Sequence, residues 1–564
     1  MQPLTRPLRY LVLLAALVPL AFAAFTGHAW EDYFITLRSS RNLVEGHGLV
    51  FNPGERVHTF TSPLGVLIPA ACTWAVGPDR EEAALWLFRL VNAGCLAAGT
   101  VLLGRRALAL GLGPAGQLLL VGLLVFDAKL VDFSINGMET ALLLFFLILL
   151  WSELASSEPP RAGMIATAVA GLMWTRPDAF VLGGVLIASR ILIREPGPGR
   201  PPIPWGPLAR GLLLGGLLYA PWFGWAWWYY GTPVPHTVLA KSAFTPTPQW
   251  STLLQLPWQV LTGQSMLLDL FLPAYWNFGG WPPVLVHLAH ALSGIAAFAW
   301  LVPTLSVTTR RASLALFCGM FYVCSILLFP WYVPPWSALA IIALAFLLGD
   351  LHSAAASLGR HTVVRGCQIA SVGLVTLQAL VLVAVAWQMR IEQQVVETGV
   401  RKEIGRWLRE HAAAGQTVFL EPLGYIGYYS RLRTHDFPGL SSPEVVAAVR
   451  TGARRYAEVI ARLAPDWIVL RPSEAARSEF AATRVLDAYE MVRSWDGVPA
   501  LDQVRLLPGR AWVEGEARFL LFRRRVPPRG RSRPLSRFRP QEPSRSSRSP
   551  NRHSPAARRL VLLH

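Results

Sequence analysis

The chain has 564 residues, of which 53% are hydrophobic and only 15% are charged. Because soluble proteins of this size carry about a quarter charged residues, the composition excludes a soluble globular protein. Many apolar runs are long enough to cross a bilayer, which predicts a polytopic α-helical membrane protein. Most of the net charge of +18 comes from residues 523–559, which contain 13 arginines and one acid. The five cysteines show neither disulfide nor metal-binding spacing.

The first segment, residues 1–29, has two arginines before an apolar run that ends in Ala-Phe-Ala. A cleaved signal peptide and a retained first helix both fit this pattern, and the many later spans favour the helix. Either way, the positive-inside rule places the first loop, residues 27–64, outside the cytoplasm. This loop opens with Glu31 and Asp32. Acids beside hydrocarbon are costly and indicate function, although such a pair can also simply cap or solvate a helix end.

The short apolar segment 64–76 determines the topology. It is short for a span, and we interpret it as interfacial, because a crossing there would move every later basic loop to the outer side. The other apolar runs then predict about 11 spans, at residues 8–26, 84–104, 111–127, 137–152, 162–175, 178–193, 209–229, 283–303, 312–329, 335–349 and 368–389.

This topology collects polar segments from distant parts of the chain on the outer face. Two of them contain Glu139 and the Arg176–Asp178 turn, and a third is a long outer loop, residues 230–282, that contains Lys241. The long loop is rich in Trp, Pro and Tyr. We therefore expect it to lie partly in the membrane interface as short amphipathic helices.

The composition changes after residue 389, where the membrane domain, residues 1–389, ends. Helix-like and strand-like stretches alternate over residues 390–522, which predicts a small extracytoplasmic α/β domain. Residues 523–564 are dominated by Arg, Pro and Ser and cannot form a core. This tail is either an attachment to anionic lipid or polymer or an unconstrained segment, and we favour the latter.

The first loop also carries a run of motifs. It reads Glu31-Asp32-Tyr33-Phe34-Ile35, then Gly46-His47-Gly48-Leu49-Val50, Asn52-Pro53-Gly54-Glu55-Arg56-Val57 and Thr61-Ser62-Pro63-Leu64. Shorter motifs follow as Gly137-Met138-Glu139-Thr140, Thr175-Arg176-Pro177-Asp178, and Tyr229-Tyr230-Gly231 before Ala240-Lys241. Over residues 25–445 this pattern resembles the GT-C superfamily of polyprenyl-phosphate-sugar-dependent glycosyltransferases. The bacterial branch that includes terminal arabinofuranosyltransferases is the most similar.

Four positions depart from the pattern of that branch. Glu31 replaces the first Asp of the acidic pair, and His236 stands where Asn is frequent. Trp331-Tyr332 replaces an Arg-Tyr, and Glu421-Pro422 stands where an Asp is common. The departures leave the reaction class unchanged but weaken any assignment of the sugar.

The resemblance implies an inverting glycosyltransferase in the inner membrane of a bacterium, with its active site on the outer face. The donor would be a polyprenyl-phosphate sugar, with arabinofuranose as the sugar of the similar branch, and the acceptor a hydroxyl of a cell-envelope glycan. No cofactor is required and no nucleic acid is expected. Some relatives use a divalent ion, but the histidines of the first loop lack zinc-binding spacing.

Such a reaction needs one carboxylate as general base and cationic groups for the leaving phosphate. We assign Asp32 as the base, with Glu31 orienting the acceptor or tuning the pKa of Asp32. The candidates for binding donor phosphate are Lys241, Arg56 and Arg176, each of which could instead meet lipid headgroups. The candidates for acceptor binding or support of the site are Glu139, Asp178, Arg38, His58 and His236.

A transporter or flippase for a lipid-linked or anionic solute is the alternative function. Transporters usually have internal repeats and ionisable groups at mid-membrane, whereas this sequence has no such repeat and its acids lie at span ends. A membrane anchor that presents the outer domain as a binding module is a third reading, and it leaves the first loop unexplained.

Overall fold

The computed structural model describes residues 6–156, 158–194, 203–244, 254–255, 258, 266–325 and 329–525. Up to the first strand, the described chain is helical. Its helices are α1 (Arg6–Thr26), α2 (Glu31–Val44), α3 (Pro63–Val76), α4 (Glu81–Ala109), α5 (Pro114–Phe126), α6 (Ala128–Ile135), α7 (Thr140–Leu154), α8 (Ala162–Thr175), α9 (Phe180–Leu192), α10 (Trp205–Tyr230), α11 (His236–Phe244), α12 (Pro283–Phe298), α13 (Val307–Ser325), α14 (Pro334–Ser357), α15 (His361–Glu392) and α16 (Glu403–His411).

Each predicted span falls on one of these helices, namely α1, α4, α5, α7 to α10 and α12 to α15. By length and apolar composition, four described helical segments can cross a membrane, or up to six if each of two bent helix pairs is one span. Helices such as α5, with 13 residues, are shorter than the roughly 20 residues that a straight crossing needs. The number of crossings and their orientation therefore remain predictions.

The core of the helical region is apolar and tightly filled. In α14, residues 338–345 are all at most 5% exposed, and they pack with α5, α7 and α13. Segment 64–76, expected to be interfacial, forms α3, which begins where the Ser62 hydroxyl accepts a hydrogen bond from the Gly65 N–H at 2.8 Å. It packs against α2 and α4.

A sharp bend separates the first helix from the acidic pair. The axes of α1 and α2 differ by 94°, and Gly27 at the bend has a φ of +63°, which favours glycine. Trp30 then stacks on Phe133, with ring centroids 4.7 Å apart. The bend places Glu31 and Asp32 in the first turn of a helix that runs at nearly a right angle to α1.

The last helix of the membrane region extends far beyond a bilayer. After α15, the helix continues through the π-helical residues Gln393–Lys402 into α16, giving 51 continuous residues from His361 to His411. At 1.5 Å per residue this is about 76 Å, against roughly 30 Å of hydrocarbon. Its C-terminal part therefore stands outside the membrane and leads directly into the following sheet.

Residues 417–524 form a five-stranded sheet flanked by short helices. The strand order is β2-β1-β3-β5-β4, in which β1 is parallel to β2 and β3, and β5 is antiparallel to β3 and β4. The elements are β1 (Thr417–Leu420), α17 (Gly424–Ser430), β2 (Arg433–Asp436), α18 (Pro443–Arg450), α19 (Tyr456–Leu463), β3 (Trp467–Leu470), α20 (Pro472–Ala475), α21 (Ser478–Thr483), β4 (Tyr489–Asp496), α22 (Val498–Leu501), α23 (Arg510–Glu516) and β5 (Arg518–Arg524).

The two central parallel strands end at the same edge of the sheet. Strands β1 and β3 consist of Thr-Val-Phe-Leu and Trp-Ile-Val-Leu and are almost completely buried, as strands covered on both faces are. The residues that follow them, Glu421 and Arg471, form an ion pair with Oε2 and Nη2 2.8 Å apart.

The sheet and the first loop pack into one body. Arg38 in α2 donates hydrogen bonds to the carbonyls of Gly427 and Leu432, at 2.6 and 2.8 Å, and Phe34 packs on the ring of Tyr425 at 4.2 Å between centroids. Gly424 approaches α2 so closely that a Cβ there would lie 2.1 Å from the Glu31 carbonyl oxygen. The described residues up to Arg524 form a single compact unit.

Candidate active site

Asp32 is a half-buried carboxylate in the first turn of α2. Within the described part of the chain, its side chain forms no hydrogen bond or ion pair. Burial raises the pKa of Asp32 above its ordinary value of 3.8, while the positive charges of Lys241 and Arg176 oppose this rise. A carboxylate that has no partner within the protein and faces two cations can act as a general base, which accepts a proton from a substrate.

Arg176 lies in the turn between α8 and α9 and is buried. Its guanidinium donates two hydrogen bonds to the carboxylate of Asp178, at 3.0 and 3.1 Å, and lies 3.9 Å from Glu139 Oε1. One face of the guanidinium covers the ring of Tyr332, 4.2 Å from the ring centroid. Asp178 and Glu139 therefore hold Arg176 in position.

Lys241 lies in α11 and approaches the same tyrosine from another direction. Its Nζ is 3.4 Å from the Tyr332 hydroxyl and 4.9 Å from the centroid of Phe329. The two cations that act on Asp32 are thus joined through the ring and hydroxyl of one tyrosine. The sequence predicts no contact of Tyr332 with these cations. It places Tyr332 only in an aromatic cluster that could stack sugars or lie in the membrane interface.

Glu31 has protein partners for both carboxylate oxygens. Its Oε1 accepts a hydrogen bond from the Gly424 N–H at 3.0 Å, and its Oε2 lies 3.0 Å from Nη1 of Arg401. Burial raises the pKa of Glu31 to about 7, against the opposing charge of Arg401. The two adjacent acids therefore differ in environment, since Glu31 connects α2 to the sheet region and Asp32 faces the cations.

Glu31 belongs to a cluster of charged side chains between α2, the long helix and the sheet. Arg401 contacts Glu397 at 2.6 Å and also pairs with Glu516, and Glu516 accepts a second hydrogen bond from Arg471 at 2.6 Å. Arg401 and Arg471 thus form ion pairs with five carboxylates, those of Glu31, Glu397, Glu421, Glu474 and Glu516. Sequence reasoning missed this cluster, because its members come from segments that are far apart in the chain and belong to no common motif.

The segment before α7 packs against the helix that carries the acidic pair. Gly137 has a φ of +96°, and a Cβ there would lie 2.5 Å from the ring of Tyr33. Glu139 follows two residues later, buried and directed towards Arg176. The Gly-Met-Glu-Thr motif therefore brings a carboxylate to the site and leaves room for the aromatic ring behind the acidic pair.

Four of the predicted site residues have other surroundings. Arg56 is exposed, 5.1 Å from the ring centroid of Tyr229, and Arg38 is used by the contacts with Gly427 and Leu432. His58 stacks on Tyr230, and burial lowers the pKa of His58 to about 4. The His236 N–H donates a hydrogen bond to the His58 carbonyl at 2.7 Å, which anchors the start of α11 to the first loop.

The described residues contain no evident metal centre. Among those that the structure describes, no group of three or more His, Cys, Asp or Glu side chains is arranged to hold a metal ion. We therefore assign no residue to a divalent ion.

Comparisons with known proteins place these features in context. Residues 387–518 match the model of a domain of unknown function (DUF8728). A curated protein of Mycobacterium tuberculosis, named terminal beta-(1->2)-arabinofuranosyltransferase, is 32% identical over 232 residues, and one of the same name from Corynebacterium glutamicum is 34% identical over 260 residues. The matches cover 38% and 41% of this chain, but only 35% and 36% of the relatives. The chain thus spans about a third of the length of the curated relatives it matches.

One solved structure indicates the architecture. The archaeal oligosaccharyltransferase AglB from Archaeoglobus fulgidus, in complex with an inhibitory peptide and a dolichol-phosphate, superposes with a TM-score of 0.51 at 11% sequence identity. The match covers 87% of this chain and 73% of that chain. The chain has the GT-C fold. The resemblance predicted from the first loop is thereby confirmed, and in this GT-C fold the loop forms the helix that carries Asp32.

Proposed function

We propose that this protein is a membrane glycosyltransferase that moves a sugar from a polyprenyl-phosphate donor to an acceptor hydroxyl with inversion at the anomeric carbon. The observation that carries the proposal is the environment of Asp32, a half-buried carboxylate that Lys241 and Arg176 face. The similarity to two named arabinofuranosyltransferases and the GT-C fold support the same reaction class.

The proposed reaction is a single displacement. The acceptor oxygen attacks the anomeric carbon and forms the new glycosidic bond, while the bond from that carbon to the phosphate oxygen breaks and its electron pair stays on the phosphate. The acceptor proton passes to Asp32. Because burial raises the pKa of Asp32 above its ordinary value, the carboxylate is a stronger base than a fully solvated aspartate.

Lys241 and Arg176 are the proposed ligands of the donor phosphate. The leaving phosphate gains negative charge as the bond breaks, and cations already held in place stabilise that charge without reorganisation. Asp178 and Tyr332 hold Arg176, while Tyr332 also contacts Lys241. Arg56 is an exposed cation beside Tyr229, so we assign it to the lipid headgroup region instead of the phosphate.

The sugar and the acceptor follow from the named relatives. Their name specifies a β-(1→2) arabinofuranosyl linkage, so we propose arabinofuranose as the transferred sugar and a 2-hydroxyl of a cell-envelope glycan as the acceptor. We place the protein in the bacterial inner membrane, with the active site and residues 390–522 on the extracytoplasmic side, because the predicted basic loops lie on the opposite side.

Replacement of Asp32 tests the proposal against the transporter alternative. The full chain, purified in detergent, would be incubated with polyprenyl-phosphate arabinofuranose and an octyl arabinofuranoside acceptor. We expect transfer by the wild type and a loss of about a hundredfold or more in Asp32→Asn. Asp79→Asn is the matched control, because Asp79 is an exposed acid that pairs with Arg41. Full turnover by Asp32→Asn would refute the assigned mechanism, and no transfer by the wild type would favour a transporter.

A further inference from the structure

The loop between β1 and α17, residues 421–423, lies against the start of the helix that carries Asp32. Gly424, directly after this loop, donates its N–H to Glu31 and touches the Glu31 backbone. The loop also begins at the carboxyl end of a central parallel strand, where open α/β sheets bind ligands. This edge of the sheet therefore faces the proposed active site.

Glu421 is the first residue of this loop, and one of its two carboxylate oxygens has a protein partner. Its Oε2 lies 2.8 Å from Arg471 Nη2, and its side chain is 29% exposed. In the described residues, its Oε1 forms no hydrogen bond or ion pair. Glu31 differs in this respect, because both of its oxygens have protein partners. The negative charge of Glu421 also raises the pKa of Asp32, in keeping with their proximity.

We propose that Glu421 binds a hydroxyl of the acceptor sugar adjacent to the hydroxyl that attacks. An ionised carboxylate is an acceptor of hydrogen bonds only, and vicinal sugar hydroxyls are matching donors. Arg471 orients the carboxylate through Oε2, which leaves the second oxygen for the substrate. The sheet region thus contributes to acceptor recognition directly. This inference rests on the proposed function.

The test compares the acceptor and donor kinetics of the full-length enzyme, with polyprenyl-phosphate arabinofuranose and octyl arabinofuranoside as probes. Glu421→Ala should raise the acceptor KM by about tenfold to a hundredfold and leave the donor KM unchanged, since a hydrogen bond to a charged group is lost. Glu421→Gln keeps an acceptor oxygen and should show a smaller rise. Glu474→Gln is the matched control, because Glu474 also pairs with Arg471 but is buried.

Deoxy analogues of the acceptor test the same hydrogen bond in the wild-type enzyme, so that misfolding of a variant cannot cause the result. With the wild type, one monodeoxy octyl arabinofuranoside should have a lower kcat/KM than the parent acceptor. The decrease should be about as large as the decrease that Glu421→Ala causes with the parent acceptor. That analogue should show no additional loss in the variant. Equal rises in the acceptor and donor KM, or additive losses for every analogue, would overturn the role of Glu421. A wild type that transfers to no acceptor would instead contradict the proposed function.

Discussion

Glu31 and Arg401 form an ion pair, with Oε2 3.0 Å from Nη1, although they are 370 residues apart in the chain. The pair joins the helix that carries Asp32 to the long helix that leaves the membrane. Since Gly424 binds the other oxygen of Glu31, the acid beside the proposed base connects three separate segments. We therefore propose that Glu31 holds Asp32 in place.

Removal of Arg401 should destabilise the protein strongly. Arg401→Met leaves Glu31, Glu397 and Glu516 without their common counter-charge, and breaking a buried pair in this way costs about 3–5 kcal/mol of unfolding free energy. Arg406→Met is the control, because Arg406 is 53% exposed and pairs with Glu403 at the surface, where such pairs contribute about 0–1 kcal/mol. Thermal unfolding in detergent would measure both, and equal melting temperatures would contradict a structural role for the cluster.

Glu31 should make stability depend on pH near neutrality. Burial raises its pKa from an ordinary value of 4.5 to about 7, so the folded protein binds a proton more tightly than the unfolded chain does. The stability that this group contributes is complete below about 4.5 and is lost as the pH rises through 7. The melting temperature of the wild type, relative to Glu31→Gln, should therefore fall between pH 5 and 8, roughly the interval that these two values define. If the difference between the two melting temperatures stayed constant or increased over this interval, the pKa of Glu31 would not be raised in the folded protein.

The acid limb of the rate profile should respond to Lys241. Asp32 must be ionised to accept a proton, so transfer should slow as the pH falls through its raised pKa. The charge of Lys241 lowers that pKa, and Lys241→Met should therefore move the acid limb to higher pH. Lys402→Met provides the control, because Lys402 lies beside Glu81 and Tyr429. If the acid side of the pH–rate profile were the same in Lys241→Met as in the wild type, Lys241 would have no electrostatic effect on Asp32.

The hydroxyl of Tyr332 should affect donor binding. Tyr332→Phe removes the hydrogen bond from Lys241 but keeps the ring against Arg176. Loss of one such hydrogen bond should raise the donor KM about twofold to tenfold and leave the acceptor KM unchanged. Tyr332→Ala also uncovers Arg176 and should have a larger effect. Kinetics with polyprenyl-phosphate arabinofuranose as the varied substrate would decide, and a rise confined to the acceptor KM would place Tyr332 elsewhere in the site.

A methyl group at Gly424 should separate the sheet region from α2. A Cβ there would lie 2.1 Å from the Glu31 carbonyl oxygen, so Gly424→Ala must displace the contact that positions Asp32. We expect a lower melting temperature together with reduced transfer. Gly515→Ala in α23 is the control, since a Cβ at that position has nothing within 4 Å. Similar behaviour of the two variants would show that this contact is dispensable.

Much of this arrangement could be read from local patterns. The apolar runs predicted the positions of the helices, and the alternation after residue 389 anticipated the helices and strands around the sheet. The sequence also singled out Asp32, Lys241 and Arg176, which the structure brings into one electrostatic environment. The helices and strands could be predicted because period and length are local properties of the chain, whereas the roles of the three site residues stay predictions.

Other predictions depended on contacts that no local pattern reports. Arg56 belongs to the same motif as other candidates but lies beside Tyr229, and Arg38 supports the sheet region. Glu421 departs from the pattern of the similar branch, and Tyr332 follows such a departure at Trp331. Packing places Tyr332 between two cations and Glu421 at the sheet edge that faces the acidic pair.

The sequence by itself determined that the chain is a helical membrane protein, that its first loop carries an acidic pair, and that an α/β region follows. Only the tertiary structure decided how the two acids differ, since Glu31 has partners from segments hundreds of residues away and Asp32 has none among the described residues. The physical reason is that the environment of a carboxylate depends on burial and on charges across space, which chain order does not encode.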